Sequence, residues 1–301
     1  SSNVINSRSL PEVELDQFLQ RAEGLLARIE ALLPPPPPPP DWNAKAFRWR
    51  KRQNRGHLEA VRHPHRIRLD DLCEVDEQKQ RIEQNTRQFV AGRSANNVLL
   101  TGARGTGKSS LIKAVLHKFA GKGLRLIEVD KHDLADLPEI IDLIAGRPER
   151  FIIFCDDLSF EASEPGYKAL KSALDGSIAG MPENLLIYAT SNRRHLMPEL
   201  MAENLQVQRS DNGEIHPGET TEEKVSLSER FGLWLSFYPF DQDAYLAICE
   251  RWLAVFGVSP KSAAATRQQI RHEALQWARM RGSRSGRVAW QFARDYAGKN
   301  K

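Results

Sequence analysis

The chain has 301 residues, 41% hydrophobic and 27% charged, the proportions of an ordinary folded protein with room for one large or two modest domains. Lys and Arg number 43 against 39 Asp and Glu, so a net charge of +4 leaves any nucleic-acid affinity to local clusters. No apolar run of about 18 residues exists, so no membrane span is expected. Residues 1–30 lack a basic start followed by a short apolar core, so no secretory leader is expected either. Cys73, Cys155 and Cys249 are widely spaced and form no CxxC pair. They favour reduced thiols in a cytoplasmic protein over a disulfide framework or a zinc site.

Pro11 to Leu33 reads as one amphipathic helix, with Leu15, Phe18, Leu19, Ala22, Leu25, Leu26 and Ile29 at three- and four-residue steps. Its apolar stripe suits either a partner or a patch on its own subunit. Pro34 to Pro40 cannot continue a helix and makes an extended spacer. Trp42 to Arg68 is basic and partly aromatic: Lys45, Phe47, Arg48, Trp49, Arg50, Lys51, Arg52, Arg55, Arg62, Arg66 and Arg68. Such a stretch can track a phosphate backbone and stack bases, or simply be solvated surface. A helix follows, running to about Ala91.

Asn97 to Thr101 is a short apolar run suited to a buried strand. It leads into Gly102 to Ser109, GARGTGKS, which fits the phosphate-loop pattern GxxxxGKS/T at every fixed position. A helix follows through Ala120, with Leu111, Ile112, Val115, Leu116 and Phe119 on its apolar face. Glycines let backbone N–H groups turn inward on an anion, and the positive end of the helix faces the phosphates. Lys108 reaches the β and γ phosphates, and the Ser109 hydroxyl is a Mg²⁺ ligand. The expected phosphate contacts are Gly102, Ala103, Arg104, Gly105, Thr106, Gly107, Lys108, Ser109 and Ser110. A glycine-rich turn with a chance lysine would not need this strand and helix around it.

Leu124 to Val129 reads as a second strand and Leu137 to Ala145 as a short helix. Phe151 to Cys155 is continuously apolar, as a central parallel strand should be, and ends in Asp156-Asp157. Carboxylates at the carboxyl end of a core strand, beside a phosphate loop, are placed for metal and water chemistry. Asp156 is the expected Mg²⁺ holder and Asp157 the residue that orients or deprotonates water. Alone, the pair would equally suit a strand ended by turn-favouring aspartates. Glu164 to Ile178 reads as a helix, Leu185 to Thr190 as a buried strand, and Met201 to Ser226 as a polar insertion. Phe231 to Tyr238 reads as the last strand. Helices follow over Tyr245–Phe256, Lys261–Arg279 and Ser285–Tyr296. Strands alternating with helices, then a helical tail, indicate a parallel α/β domain with a small α domain behind it.

From about Leu69 onward the chain resembles an AAA+ ATPase, through five motifs in order. Gly102 to Ser109 matches Walker A and Phe151 to Asp157 matches Walker B. Tyr188 to Asn192, YATSN, resembles sensor 1, with Asn192 placing the water. Leu227 to Phe231, LSERF, resembles the motif carrying the arginine finger, here Arg230. Ser283 to Phe292 resembles sensor 2, with Arg287 facing the γ phosphate. FCDDLSFE and ERFGLWLSFYPF are similar to a bacterial AAA+ family of unknown function, near the helicase-loader and transposition-helper ATPases. One departure is that Walker B ends Asp-Asp rather than Asp-Glu, which makes Glu161 a substitute candidate and slow turnover an expectation.

The resemblance implies a P-loop NTPase fold with a parallel five-stranded sheet of order 5-1-4-3-2 and a C-terminal helical lid. It implies ATP with Mg²⁺ between core and lid, and homo-oligomeric rings or filaments, because the finger acts on a neighbour's nucleotide. The expected division is an amphipathic helix at 1–33, a proline-rich and basic linker at 34–68, the α/β domain at 69–239 and the lid at 240–301. Three functions stay open: an ATPase that remodels an oligomer or protein client, a low-turnover ATP-dependent assembly switch, and a nucleic-acid-associated loader using residues 45–68.

Overall fold

A computed structural model describes residues 12–32, 38–52, 55–159, 165–175, 181–192, 227–258 and 264–299. Contacts divide the chain into two units, residues 1–39 with 51–57, and residues 40–50 with 58–301. The first contains helix α1 (Glu12–Leu32), at the position the apolar spacing predicts. Glu161 and the polar insertion at 201–226 lie outside the described residues, as do residues 33–37 of the proline-rich spacer.

The apolar runs become strands β3 (Val98–Gly102), β4 (Leu124–Val129), β5 (Arg150–Cys155), β6 (Leu185–Ser191) and β7 (Leu233–Phe237). Every residue of β3 and β6 is buried, as is Phe151–Cys155 of β5. That burial suits strands covered on both faces. The pairs β3–β6, β3–β7, β4–β5 and β5–β6 are all parallel. Their order is β7-β3-β6-β5-β4, the expected 5-1-4-3-2.

Among the described residues the sheet has seven strands, not five. β1 (Ala46–Arg52) pairs in parallel with β4, Phe47 opposite Ile127, and β2 (Arg55–Ala60) lies beyond it at the edge. Both come from the stretch whose charge suggests a linker. The charged side chains of β1 occupy exposed positions, while Phe47 and Trp49 are buried. Period-two burial thus hides inside a basic composition. Arg48 Nε donates to Glu128 Oε2 at 2.7 Å, Arg50 Nε to Glu59 Oε2 at 3.4 Å, and Arg68 Nη2 to Asp70 Oδ2 at 3.3 Å. Exposed pairs of this kind contribute little stability, but they offset part of the local positive charge.

Helices α2 (Asp76–Val90) and α3 (Lys108–Phe119) pack on one face, where Ile82, Phe89, Leu111 and Val115 join Leu100, Ile152 and Phe154. Helices α4 (Leu137–Ile144) and α5 (Pro165–Asp175) pack on the other, with Ile140, Ile144 and Leu170 against Ile127, Ile153 and Trp49. The lid is α6 (Gln242–Val255), α7 (Ala264–Arg281) and α8 (Gly286–Lys299), with its own core of Tyr245, Leu246, Ala274, Ala289 and Phe292.

Candidate functional site

The phosphate loop leaves β3 where the sheet presses closest. A Cβ on Gly102 would stand 1.9 Å from the Phe237 carbonyl oxygen of β7, so only glycine fits there. The loop ends at Gly107, which starts α3 in a left-handed conformation without a side-chain cap. The first backbone donors of α3 are therefore available to an anion. Lys108 is buried, and its ammonium donates to the carbonyls of Gly102 and Ala103, both at 2.8 Å. Burial pushes its pKa down to about 8; Asp156 and Asp157 oppose that shift and Arg104 adds to it. Thr106 also closes on the Ala103 carbonyl, at 2.8 Å.

β5 delivers Asp156 and Asp157 beside this loop. The Ser109 hydroxyl donates to Asp156 Oδ1 at 2.7 Å, and the Thr190 hydroxyl donates to the same oxygen at 2.6 Å. Asp157 takes a positive φ of 55°. Its N–H donates to Thr190 Oγ1 at 2.9 Å, and its Oδ1 accepts from Asn192 Nδ2 at 2.5 Å. Arg104 Nη2 lies 3.6 Å from Asp157 Oδ2.

The lid closes on the loop through the start of α8. Gly286 N–H donates to the Gly105 carbonyl at 2.8 Å, and a Cβ on Gly105 would stand 2.7 Å from the Ser285 Cβ. Arg287 follows directly. Arg104 to Ser110, Asp156, Asp157, Asn192 and Arg287 all line one cavity of about 650 Å³, within the range of small-molecule sites. Its apolar wall comes from Ile67, Leu72 and Val75 on the core side and Phe240, Ile248, Trp252 and Trp290 on the lid side. Sequence reading missed this wall and the part played by Thr190. Thr190, Ile248, Trp252 and Trp290 sit in elements whose periodicity accounts for them as core, Ile67, Leu72, Val75 and Phe240 lie between elements, and only the closure of lid on core brings the wall together.

Arg230 is not among the residues lining this cavity. Its Nε donates to Asp175 Oδ1, at the end of α5. The hydroxyl of Ser109 and carboxylate of Asp156 are hard oxygen donors, as Mg²⁺ requires when one or two protein oxygens are completed by phosphate and water. Among the described residues no group of three or more His, Cys, Asp or Glu could hold a metal by itself. A buried ammonium and an uncapped helix start fit a polyphosphate.

In this sheet the strand carrying the phosphate loop lies between the strand ending in Asn192 and the last strand, and a small helical lid closes over the loop. That is the arrangement of the AAA+ P-loop proteins. Within that class, the chain belongs to the family described as "Protein of unknown function (DUF815)", whose model matches residues 42–300. The matched region therefore includes β1 and β2. No curated protein matches in sequence. Solved structures of Thermotoga maritima RuvB are similar at low identity. One, of a lysine-to-arginine mutant, is 16% identical with a TM-score of 0.47, over 75% of this chain and 63% of that one. Another, of a proline-to-glycine mutant, is 17% identical with a TM-score of 0.45, over 78% of this chain and 65% of that one. The RuvB Holliday junction branch migration motor is 16% identical with a TM-score of 0.40, over 75% and 70%. The chain thus spans less than two thirds of the first of these structures. No helix among the described residues is long and apolar enough to cross a membrane.

Proposed function

We propose that this protein binds ATP with Mg²⁺ in the cavity between core and lid and hydrolyses it, coupling turnover to rearrangement of its own oligomer or of a protein client. The observation that carries the reading is the convergence of Lys108, Ser109, Asp156, Asp157, Asn192 and Arg287 on one cavity. The start of α3 and the Lys108 ammonium bind the β and γ phosphates, the ammonium exchanging the Gly102 and Ala103 carbonyls for phosphate oxygens. Ser109 and Asp156 hold Mg²⁺, which supplies neutralisation of phosphate charge. Asp157 orients and deprotonates the attacking water, and Asn192 holds the Asp157 carboxylate. Arg287 brings a cation from the lid. Arg230 is assigned to a neighbouring subunit's nucleotide in a ring or filament. ATP is chosen over GTP by family resemblance.

The first test separates binding from chemistry. Lys108→Ala is expected to abolish tight ATP binding in calorimetry. Asp157→Asn should keep MgATP binding and lower turnover by about 10²-fold or more. Unchanged ATP affinity in Lys108→Ala would remove the phosphate-loop assignment. Wild-type turnover in Asp157→Asn would transfer the base role to Glu161.

A second reading, a low-turnover assembly switch, draws on one observation. Asp157 meets Asn192 through one oxygen and Arg104 through the other. Both oxygens are thereby turned to protein partners, and neither can receive an attacking water until those partners move. ATP-driven assembly in sedimentation without phosphate release would favour the switch. Hydrolysis measured with and without DNA would reveal the loader, whose basic stretch already carries Arg48, Arg50 and Arg68 opposite carboxylates.

A further inference from the structure

We infer that Thr190 is a positioning residue that sets both carboxylates of the site with one hydroxyl, an inference that rests on the ATP-binding reading above. The pairing of β5 with β6 ends at Cys155 opposite Ala189, so Thr190 is the next residue, beside Asp156 where the two strands finish. Thr190 is 1% exposed. Its single hydroxyl hydrogen goes to Asp156 Oδ1 at 2.6 Å, and its hydroxyl oxygen accepts the Asp157 N–H at 2.9 Å. Valine has the same shape and can do neither; serine can do both.

The reason such a device is needed lies in strand geometry. Consecutive residues of an extended strand point to opposite faces. Asp156 and Asp157 are consecutive, yet both line the cavity. The left-handed turn at Asp157, φ 55°, breaks the alternation and brings the second carboxylate to the same side. A non-glycine residue is strained in that conformation, so surrounding bonds must hold it. β6 supplies them. Besides the Thr190 hydroxyl, Leu158 N–H donates to the Thr190 carbonyl at 2.7 Å, Ser191 Oγ donates to the Leu158 carbonyl at 3.0 Å, and Asn192 grips the Asp157 carboxylate. Of these groups only the Thr190 hydroxyl touches Asp156 and Asp157 at once. It therefore ties the geometry of the metal-holding carboxylate to that of the water-orienting one.

The test compares Thr190→Val with Thr190→Ser in the full chain. Thr190→Val should lower kcat at least about tenfold with KM changed by less than about threefold, since a hydrogen bond to a charged group is lost while the pocket keeps its shape. ATP affinity measured by calorimetry without Mg²⁺ should stay within about twofold of wild type, while the gain in affinity on adding Mg²⁺ shrinks. Thr190→Ser should restore both quantities. In the nucleotide-free protein, exchange of the Asp157 amide hydrogen should quicken in Thr190→Val and recover in Thr190→Ser. Wild-type kcat and Mg²⁺ gain in Thr190→Val would overturn the inference. So would an equal loss in both variants together with a lowered Tm, which is what a merely packing role produces. If the wild-type protein binds no ATP, the proposed function falls, and the amide measurement still decides whether Thr190 sets the Asp157 turn.

Discussion

Lys108 holds a charge where burial opposes it. Its pKa is pushed down to about 8, below the ordinary lysine value. The sign follows from proton counting. Between the lowered folded value and the ordinary unfolded one, the unfolded chain binds more protons, so the burial penalty is present below the folded value and is relieved as pH rises above it. Phosphate oxygens reverse the balance, because an anion beside the amine favours its charged form. ATP binding above about pH 8 should therefore draw a proton from buffer, and binding near pH 7 should draw much less. Calorimetry in two buffers of different ionisation enthalpy measures this directly. At about pH 9, a binding enthalpy that does not depend on the buffer would remove Lys108 from the phosphate contacts.

Between elements, one buried polar network fixes β6 against α2. The Tyr188 hydroxyl meets Thr86 Oγ1 at 2.8 Å and accepts from Asn85 Nδ2 at 3.1 Å. Thr86 gives its own hydrogen to the Ile82 carbonyl at 2.8 Å, so the tyrosine is the donor in their pair. Asn85 also bridges to the Asn96 backbone, donating to its carbonyl and accepting from its N–H, both at 2.9 Å. The network thus joins α2, β6 and the approach to β3. Tyr188→Phe removes one hydroxyl and with it the acceptor of one Asn85 N–H, while Asn85 and Thr86 keep their backbone partners. Its cost should be about 1 kcal/mol, at the low end for a buried hydrogen bond. Denaturant unfolding with an unchanged m-value would show it, whereas a loss above about 3 kcal/mol would mean that the network collapses as a unit.

At the scale of the assembly, Arg230 is the residue under test. Within its own subunit it pairs with Asp175 and stands outside the cavity. On the proposed reading, its role in hydrolysis would be exercised on a neighbouring copy, with the Asp175 contact exchanged for phosphate charge. Arg230→Ala should leave ATP binding within about threefold of wild type and lower assembly-dependent hydrolysis by about 10³-fold, the scale of an arginine finger. Mixing Arg230→Ala with Lys108→Ala subunits pairs a competent pocket with a competent finger, and activity should return. Mixtures that assemble but stay inactive would remove the finger role and leave Arg230 a structural residue that pairs with Asp175.

The residues of the candidate site were legible wherever their chemistry is local. Gly102 to Ser109 is one strand-loop-helix, and Asp156-Asp157 is one strand end, so spacing alone carries them. The helical lid was legible because its apolar spacing repeats. The strand order came through family resemblance, since nothing in spacing says which strands become neighbours. Tertiary structure decided the rest, because the deciding contacts join residues far apart in the chain. β1 hides in a basic stretch until Phe47 and Trp49 find a core and Arg48 finds Glu128, 80 residues away. Arg230 reads as a finger by motif, but among the described residues it pairs with Asp175, 55 residues away. Thr190 looks like one more buried strand residue. It reaches both aspartates only because the register of β5 against β6 sets the two strand ends side by side. Local hydrogen bonding and apolar periodicity act within a few residues and so appear as pattern. The pairing of strands distant in sequence and the closure of lid on core join residues far apart in the chain, so no single segment displays them.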